Sequence, residues 1–113
     1  MPKRADMKVL TRQEEQILLI VHRLGMDACL INVRECLKEM TGKYLDVGTV
    51  YVPLKRLTRH GYLNSRYGEP TGVRGGKAVR YYRMTGNGYR ALAEVKMVQD
   101  KLWEGIVIPA PKG

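Results

Sequence analysis

The sequence predicts a mainly α chain with one small β-hairpin, in the order three helices, hairpin, helix. Three observations carry this. Apolar residues recur at helical spacing in four stretches, each set between a capping residue and a glycine or histidine-glycine stop. Between Tyr62 and Met84 that period gives way to runs rich in aromatic and β-branched residues around a glycine-rich segment. Finally, 113 residues that are 44% apolar and 27% charged suit one globular domain with a single core.

The first helix starts at a capping box. In Thr11-Arg12-Gln13-Glu14 the threonine hydroxyl accepts from the amide of Glu14, whose carboxylate reaches back to the amide of Thr11. Ile17, Leu18, Val21 and Leu24 follow at helical spacing, and Gly25 ends the run. A second helix is expected after Asn32, with Glu35 in the capping-box position, Val33, Cys36, Leu37 and Met40 on one face, and Gly42 as its stop. The third begins at the N-cap Asp46, buries Val50, Leu54 and Leu57, and ends at His60-Gly61. Pro53 lies inside it, where a local kink is expected before a break.

Tyr62–Tyr67 and Ala78–Met84 read as strands, joined by a long, mobile loop from Gly68 to Lys77 with four glycines and a proline. Tyr81 and Tyr82 alternate across the second strand, one toward the core and one partly exposed. Thr85 caps a last helix, Gly88 to about Glu104, and an irregular tail follows. This is the order of a winged helix-turn-helix with a C-terminal dimerisation helix. Its divisions are an N-terminal arm (1–10), the winged domain (11–85), the dimerisation helix (86–105) and the tail (106–113).

Charge points to a partner. The formal net charge is +9, and the stretch from Lys55 to Arg90 holds nine basic residues against the single acid Glu69, so eight of the nine excess charges fall in one third of the chain. A solvated face mixes signs, because a one-sign cluster repels itself. A polyanion is therefore expected, nucleic acid first and an anionic membrane surface second. Around the third helix, Gly48, Thr49, Val52, Arg56 and Arg59 lie opposite the buried stripe, with Tyr51 and Lys55 on the shoulder. Arginine reads guanine O6 and N7 bidentately, Thr or Val meets a thymine methyl, and glycine permits close approach. In the hairpin, Arg66, Arg74, Lys77 and Arg80 are candidates for phosphate or minor-groove contact. The plain alternative for each is a solvated surface residue.

The last helix carries Leu92, Val95, Val98 and Leu102 in one stripe, with Tyr89, Ala93, Met97 and Trp103 widening it. So broad an apolar surface calls for a second copy of the chain, the alternative being a helix wedged into its own core. The dimer residues read from this are Tyr89, Leu92, Val95, Val98, Leu102 and Trp103.

Other classes find little support. Gly72 to Lys77 is one residue short of a phosphate-binding loop and leads into a strand. His22 and His60 stand apart, no carboxylate or nucleophile–base pair appears, and Cys29 and Cys36 lack metal-ligand spacing. No enzyme activity, cofactor or metal is expected. The longest apolar run, Ile17–Val21, is too short to span a bilayer, Met1-Pro2-Lys3-Arg4 leads into no signal sequence, and two cysteines suit a reducing cytoplasm.

Gly48-Thr49-Val50-Tyr51, Leu54-Lys55-Arg56-Leu57, Gly61-Tyr62-Leu63 and Arg80-Tyr81-Tyr82-Arg83-Met84-Thr85 resemble the PadR family of bacterial transcriptional regulators. Gly68-Glu69-Pro70-Thr71, Arg74-Gly75-Gly76-Lys77 and Leu102-Trp103-Glu104-Gly105 resemble a compact branch of it with a short C-terminal helix. The resemblance, from about Leu10 to Gly105, implies a winged-helix repressor that dimerises through its last helix and binds a pseudo-palindromic operator on double-stranded DNA. It also implies, in some relatives, release by a small aromatic effector. The family's DNA-contacting region falls on Gly48, Thr49, Tyr51, Lys55, Arg74 and Lys77. Members commonly place proline directly after the tyrosine, whereas here Val52 intervenes before Pro53, and Ala28-Cys29-Leu30 stands where many carry Ala-Tyr-Gly. A non-specific RNA- or DNA-binding module and a protein adaptor remain the alternatives.

Overall fold

The computed structural model describes residues 10–68 and 78–111. Three helices, α1 (Arg12–Leu24), α2 (Leu30–Thr41) and α3 (Val47–Arg59), precede an antiparallel hairpin of β1 (Leu63–Tyr67) and β2 (Arg80–Met84), and α4 (Gly86–Trp103) closes the order. This is the winged helix-turn-helix arrangement. Both halves of the capping box form, with the Glu14 amide donating to Thr11 Oγ1 at 3.1 Å and the Thr11 amide donating to Glu14 Oε1 at 2.9 Å. Gly42 ends α2 at φ 78°, a left-handed conformation that a Cβ disfavours. Helix α3 runs through Pro53, whose ring is buried, without a break.

The core gathers Ile17, Leu18 and Val21 of α1, Val33 and Leu37 of α2, and Val50, Leu54 and Leu57 of α3. The base of the hairpin (Leu63, Tyr82, Met84) and Ala91 of α4 close it. Tyr82 is the core member of the tyrosine pair and Tyr81 is half-buried. Against the expectation, α2 starts at Leu30 rather than after Asn32. Ala28 and Cys29 extend the sheet edge: the Tyr82 amide donates to the Ala28 carbonyl at 2.8 Å, and Cys29 bridges Tyr81 antiparallel. The chain must turn into a helix directly after that bridge, and Asn32, one turn in, donates its side-chain amide to the Asp27 carbonyl at 2.8 Å. Met40, expected on the buried face, is exposed near the end of α2. The strands are shorter than read, beginning at Leu63 and Arg80.

Thr85 caps α4 by accepting from the Gly88 amide at 3.1 Å. Gly88 itself packs so closely that a Cβ there stands 2.4 Å from the Tyr62 carbonyl oxygen. Only glycine lets the first turn of α4 sit against the entry to β1. The chain beyond α4 has no regular structure as far as residue 111, and Val107 there is 89% exposed. No helix among the described residues is long and apolar enough to cross a membrane.

Candidate nucleic-acid interface

Burial of Val50, Leu54 and Leu57 fixes which face of α3 points outward. Gly48, Thr49, Tyr51, Val52, Lys55 and Arg59 are all exposed on it. Asp46 holds the N-terminus by accepting from the Thr49 amide at 2.7 Å. The hydrogen bonds to Thr49 keep its carboxyl below the usual carboxylate range, with a smaller contribution from the Arg34 charge. Among the described residues the ion pairs are Arg56 with Glu14 and Lys96 with Asp100, so no described acid neutralises Lys55 or Arg59.

Arg56 departs from the expectation. Its Nε donates to Glu14 Oε2 at 2.8 Å, and the carboxylate is 1% exposed against 30% for the arginine side chain. Helical spacing sets Arg56 among the base-reading candidates; in the structure its guanidinium turns back to α1 and donates to the second oxygen of the buried capping glutamate. The signal was present at Glu14, where the capping box engages one oxygen and leaves the other to be satisfied.

The hairpin divides its arginines between two faces. In the register, Arg66 stands opposite Tyr81 and Tyr67 opposite Arg80. Adjacent pairs point to opposite sides of a two-stranded sheet. The Arg80 guanidinium lies 4.9 Å from the centre of the Tyr67 ring and donates to the Tyr67 hydroxyl at 2.7 Å, which holds its positive charge more firmly still. Arg80 and Tyr67 face a cavity of about 330 Å³, lined also by Cys29, Leu30, Tyr51 and Tyr82, so this side of the hairpin adjoins α3. Arg66 stacks over Tyr81 at 5.0 Å and reaches toward Met26 on the other side. It does not join the surface formed by α3 and Arg80. Arg74 and Lys77, with the loop that carries them, lie outside the described residues.

Basic residues ahead of α3 escaped the charge count, which started at Lys55. Arg34 and Lys38 of α2 both sit over the ring of Tyr44, at 4.2 and 4.9 Å, and Lys43, the residue before Tyr44 in the chain, is exposed. The available signal was their i, i+4 spacing on α2, close in sequence to an exposed tyrosine.

On α4 the expected apolar stripe splits. Leu92 packs against the chain's own core and Val95 is half-buried, whereas Tyr89, Val98, Leu102 and Trp103 are exposed. Tyr89 hydrogen-bonds His22 Nδ1 of α1 at 2.9 Å, with the two rings edge to face. Cys29 is buried and Cys36 half-buried, both free thiols. Among the described residues no group of three or more His, Cys, Asp or Glu is placed to hold a metal ion.

No family model matches the chain, and no curated protein matches it. Solved structures do. A PadR-like transcription factor from Bacteroides fragilis is 28% identical with a TM-score of 0.71, covering 81% of this chain and 84% of that one. A PadR family transcriptional regulator from Eggerthella lenta is also 28% identical, with a TM-score of 0.64 over 83% of this chain and 80% of its own. The chain is similar to these PadR-type regulators over about four fifths of its length. A PadR family transcription regulator from Clostridium difficile, 22% identical, shares the fold with a TM-score of 0.62 over 80% and 88% of the two chains. Val52 is exposed on α3 while Pro53 is buried, so the residue before the proline places a methyl-bearing side chain on the outward face.

Proposed function

We propose that this chain is a transcription regulator that binds double-stranded DNA in a sequence-specific manner, in the cytoplasm, as a homodimer. It acts as a repressor on a pseudo-palindromic operator. The observation that carries this is the outward face of α3, where Gly48, Thr49, Tyr51, Val52, Lys55 and Arg59 combine base-edge and phosphate chemistry with no acid among the described residues paired to its cations. Support comes from the similarity to a PadR-like transcription factor and a PadR family transcriptional regulator of known structure. Arg80 adds phosphate contact from the hairpin, together with Arg74 and Lys77 of the loop. Arg59, the exposed arginine on this face of α3, takes the base-reading role first read for Arg56 as well.

The exposed end of α4 supports the dimer. Met97, Val98, Leu102 and Trp103 leave an apolar surface that a second copy covers, and two-fold symmetry sets two α3 helices about one turn of DNA apart. For a small aromatic effector this reading offers the cavity between α2, α3 and the hairpin, lined by Leu30, Tyr51, Tyr67 and Tyr82.

The test is fluorescence anisotropy with the DNA upstream of the chain's own gene and a scrambled duplex, over a salt series. Sequence-specific recognition predicts tighter binding to the native duplex, and Arg59→Ala then lowers the native-to-scrambled ratio by roughly 5- to 150-fold, about 1–3 kcal/mol. Equal binding to both duplexes by the wild type and a preference for single strands would replace this reading with a non-specific nucleic-acid module. No binding at low salt would leave the protein adaptor.

A further inference from the structure

The end of α2 and the segment leading into α3 carry positive charge that the surface described above does not use. Arg34 and Lys38 are one turn apart on α2, and their charged ends converge on one ring, that of Tyr44, at 4.2 and 4.9 Å. Arg34 is fixed from a second direction, its Nε donating to the Leu45 carbonyl at 2.6 Å. Lys43, the residue before Tyr44 in the chain, is exposed, its amide donating to Thr41 Oγ1 at 3.2 Å. Two cations thus converge on one half-exposed tyrosine, and Lys43 adjoins it in the chain. Like charges at i, i+4 repel, and the negative face of one ring offsets only part of that repulsion. No described acid forms an ion pair with any of the three. The Asp46 carboxylate, the acid that feels the Arg34 charge, accepts from the Thr49 amide. Among the described residues these charges meet no ion-paired acid.

The cluster's place in the fold says which charge it meets. Tyr44 lies two residues before the N-cap of α3, so the cluster flanks the end of the helix from which Gly48 and Thr49 project. A helix end inside a major groove about 12 Å wide has a sugar-phosphate strand on either side. We propose that Lys38, over a Tyr44 ring braced by Arg34, and Lys43, beside Tyr44 in the chain, grip the phosphate backbone beside the groove and seat the N-terminus of α3. The inference rests on the DNA-binding reading above. The contact carries affinity and register, not sequence preference.

The experiment compares wild type, Lys38→Ala/Lys43→Ala and Lys55→Ala on the matched and scrambled duplexes across a salt series, with thermal melting to verify folding. Each lost phosphate contact flattens the plot of log K against log salt by about 0.9. The double variant is therefore expected to flatten it by between one and two such steps. Its affinity should fall by the same factor on both duplexes, leaving their ratio unchanged. Tyr44→Ala, which frees both cations, should lose affinity at low salt, while Tyr44→Phe keeps it. A double variant with wild-type slope and affinity, alongside a weakened Lys55→Ala, overturns the clamp and leaves the DNA-binding reading standing. A fall in the matched-to-scrambled ratio also overturns it, because these residues would then read bases. Failure of the wild type to bind either duplex at low salt removes the DNA-binding reading, and the clamp with it.

Discussion

Glu14→Gln tests whether α1 holds α3 in place. The substitution keeps the volume of a side chain that is 1% exposed and removes its charge. Among its donors are the Thr11 amide at 2.9 Å and Arg56 Nε at 2.8 Å. A glutamine can present its one carbonyl oxygen to either, and its NH2 then meets the other donor head on. A charge-assisted hydrogen bond contributes about 1.5–3 kcal/mol. Removing one partner of a fully buried pair costs about 3–5 kcal/mol. Arg56, 30% exposed, recovers part of its hydration, which places the expected loss at about 2–3 kcal/mol. For a domain of this size that corresponds to a fall in Tm of roughly 10 °C. Urea and thermal unfolding at neutral pH measure it. A double-mutant cycle with Arg56→Met should return a coupling of at least about 1 kcal/mol, because replacing both charges leaves neither one buried alone. A Tm within about 2 °C of wild type, or a cycle that closes to zero, refutes the view that this pair locks α3 to α1. If Arg56→Ala instead leaves stability intact and lowers only the preference for one duplex, Arg56 reads DNA after all.

The remaining predictions concern other contacts. Gly88→Ala forces a Cβ against the Tyr62 carbonyl and should lower Tm by several degrees, or by more than about 2 kcal/mol in urea; an unchanged Tm would show that α4 can shift outward at no cost. Asp46 has a depressed carboxyl pKa, so its cap stabilises the fold above its ordinary value of 3.8 and is lost as pH falls through the still lower folded value. Asp46→Ala should therefore be less stable than wild type at neutral pH and converge with it in acid, and a pH-independent difference in urea titrations would contradict the cap. Leu102→Glu, at a side chain 65% exposed, should convert the proposed dimer to monomer in sedimentation while leaving the helical circular-dichroism signal in place. A variant that still sediments as a dimer would remove the end of α4 from the interface.

Local chemistry made most of the elements legible. A capping box, an N-cap aspartate, a C-terminal glycine and a threonine cap act over three or four residues, so the ends of α1 and α3 and the cap of α4 follow from their own segments. The outward face of α3 was equally legible, since the burial of Val50, Leu54 and Leu57 settles the orientation of their neighbours. What escaped depends on contacts between distant residues. The start of α2 moved because Ala28 and Cys29 pair with β2, more than fifty residues later.

The amino-acid order by itself determined the sequence of helices and hairpin and, Arg56 apart, the outward residues of α3, because each follows from periodicity and capping within one turn or one strand. Tertiary structure alone decided which arginines are available. It bound Arg56 to a carboxylate 42 positions away, turned Arg66 to the hairpin face away from α3, and brought Arg34 and Lys38 onto Tyr44. A cation's count is written in the chain, but its partner is set by the low-dielectric interior and the register that the fold imposes.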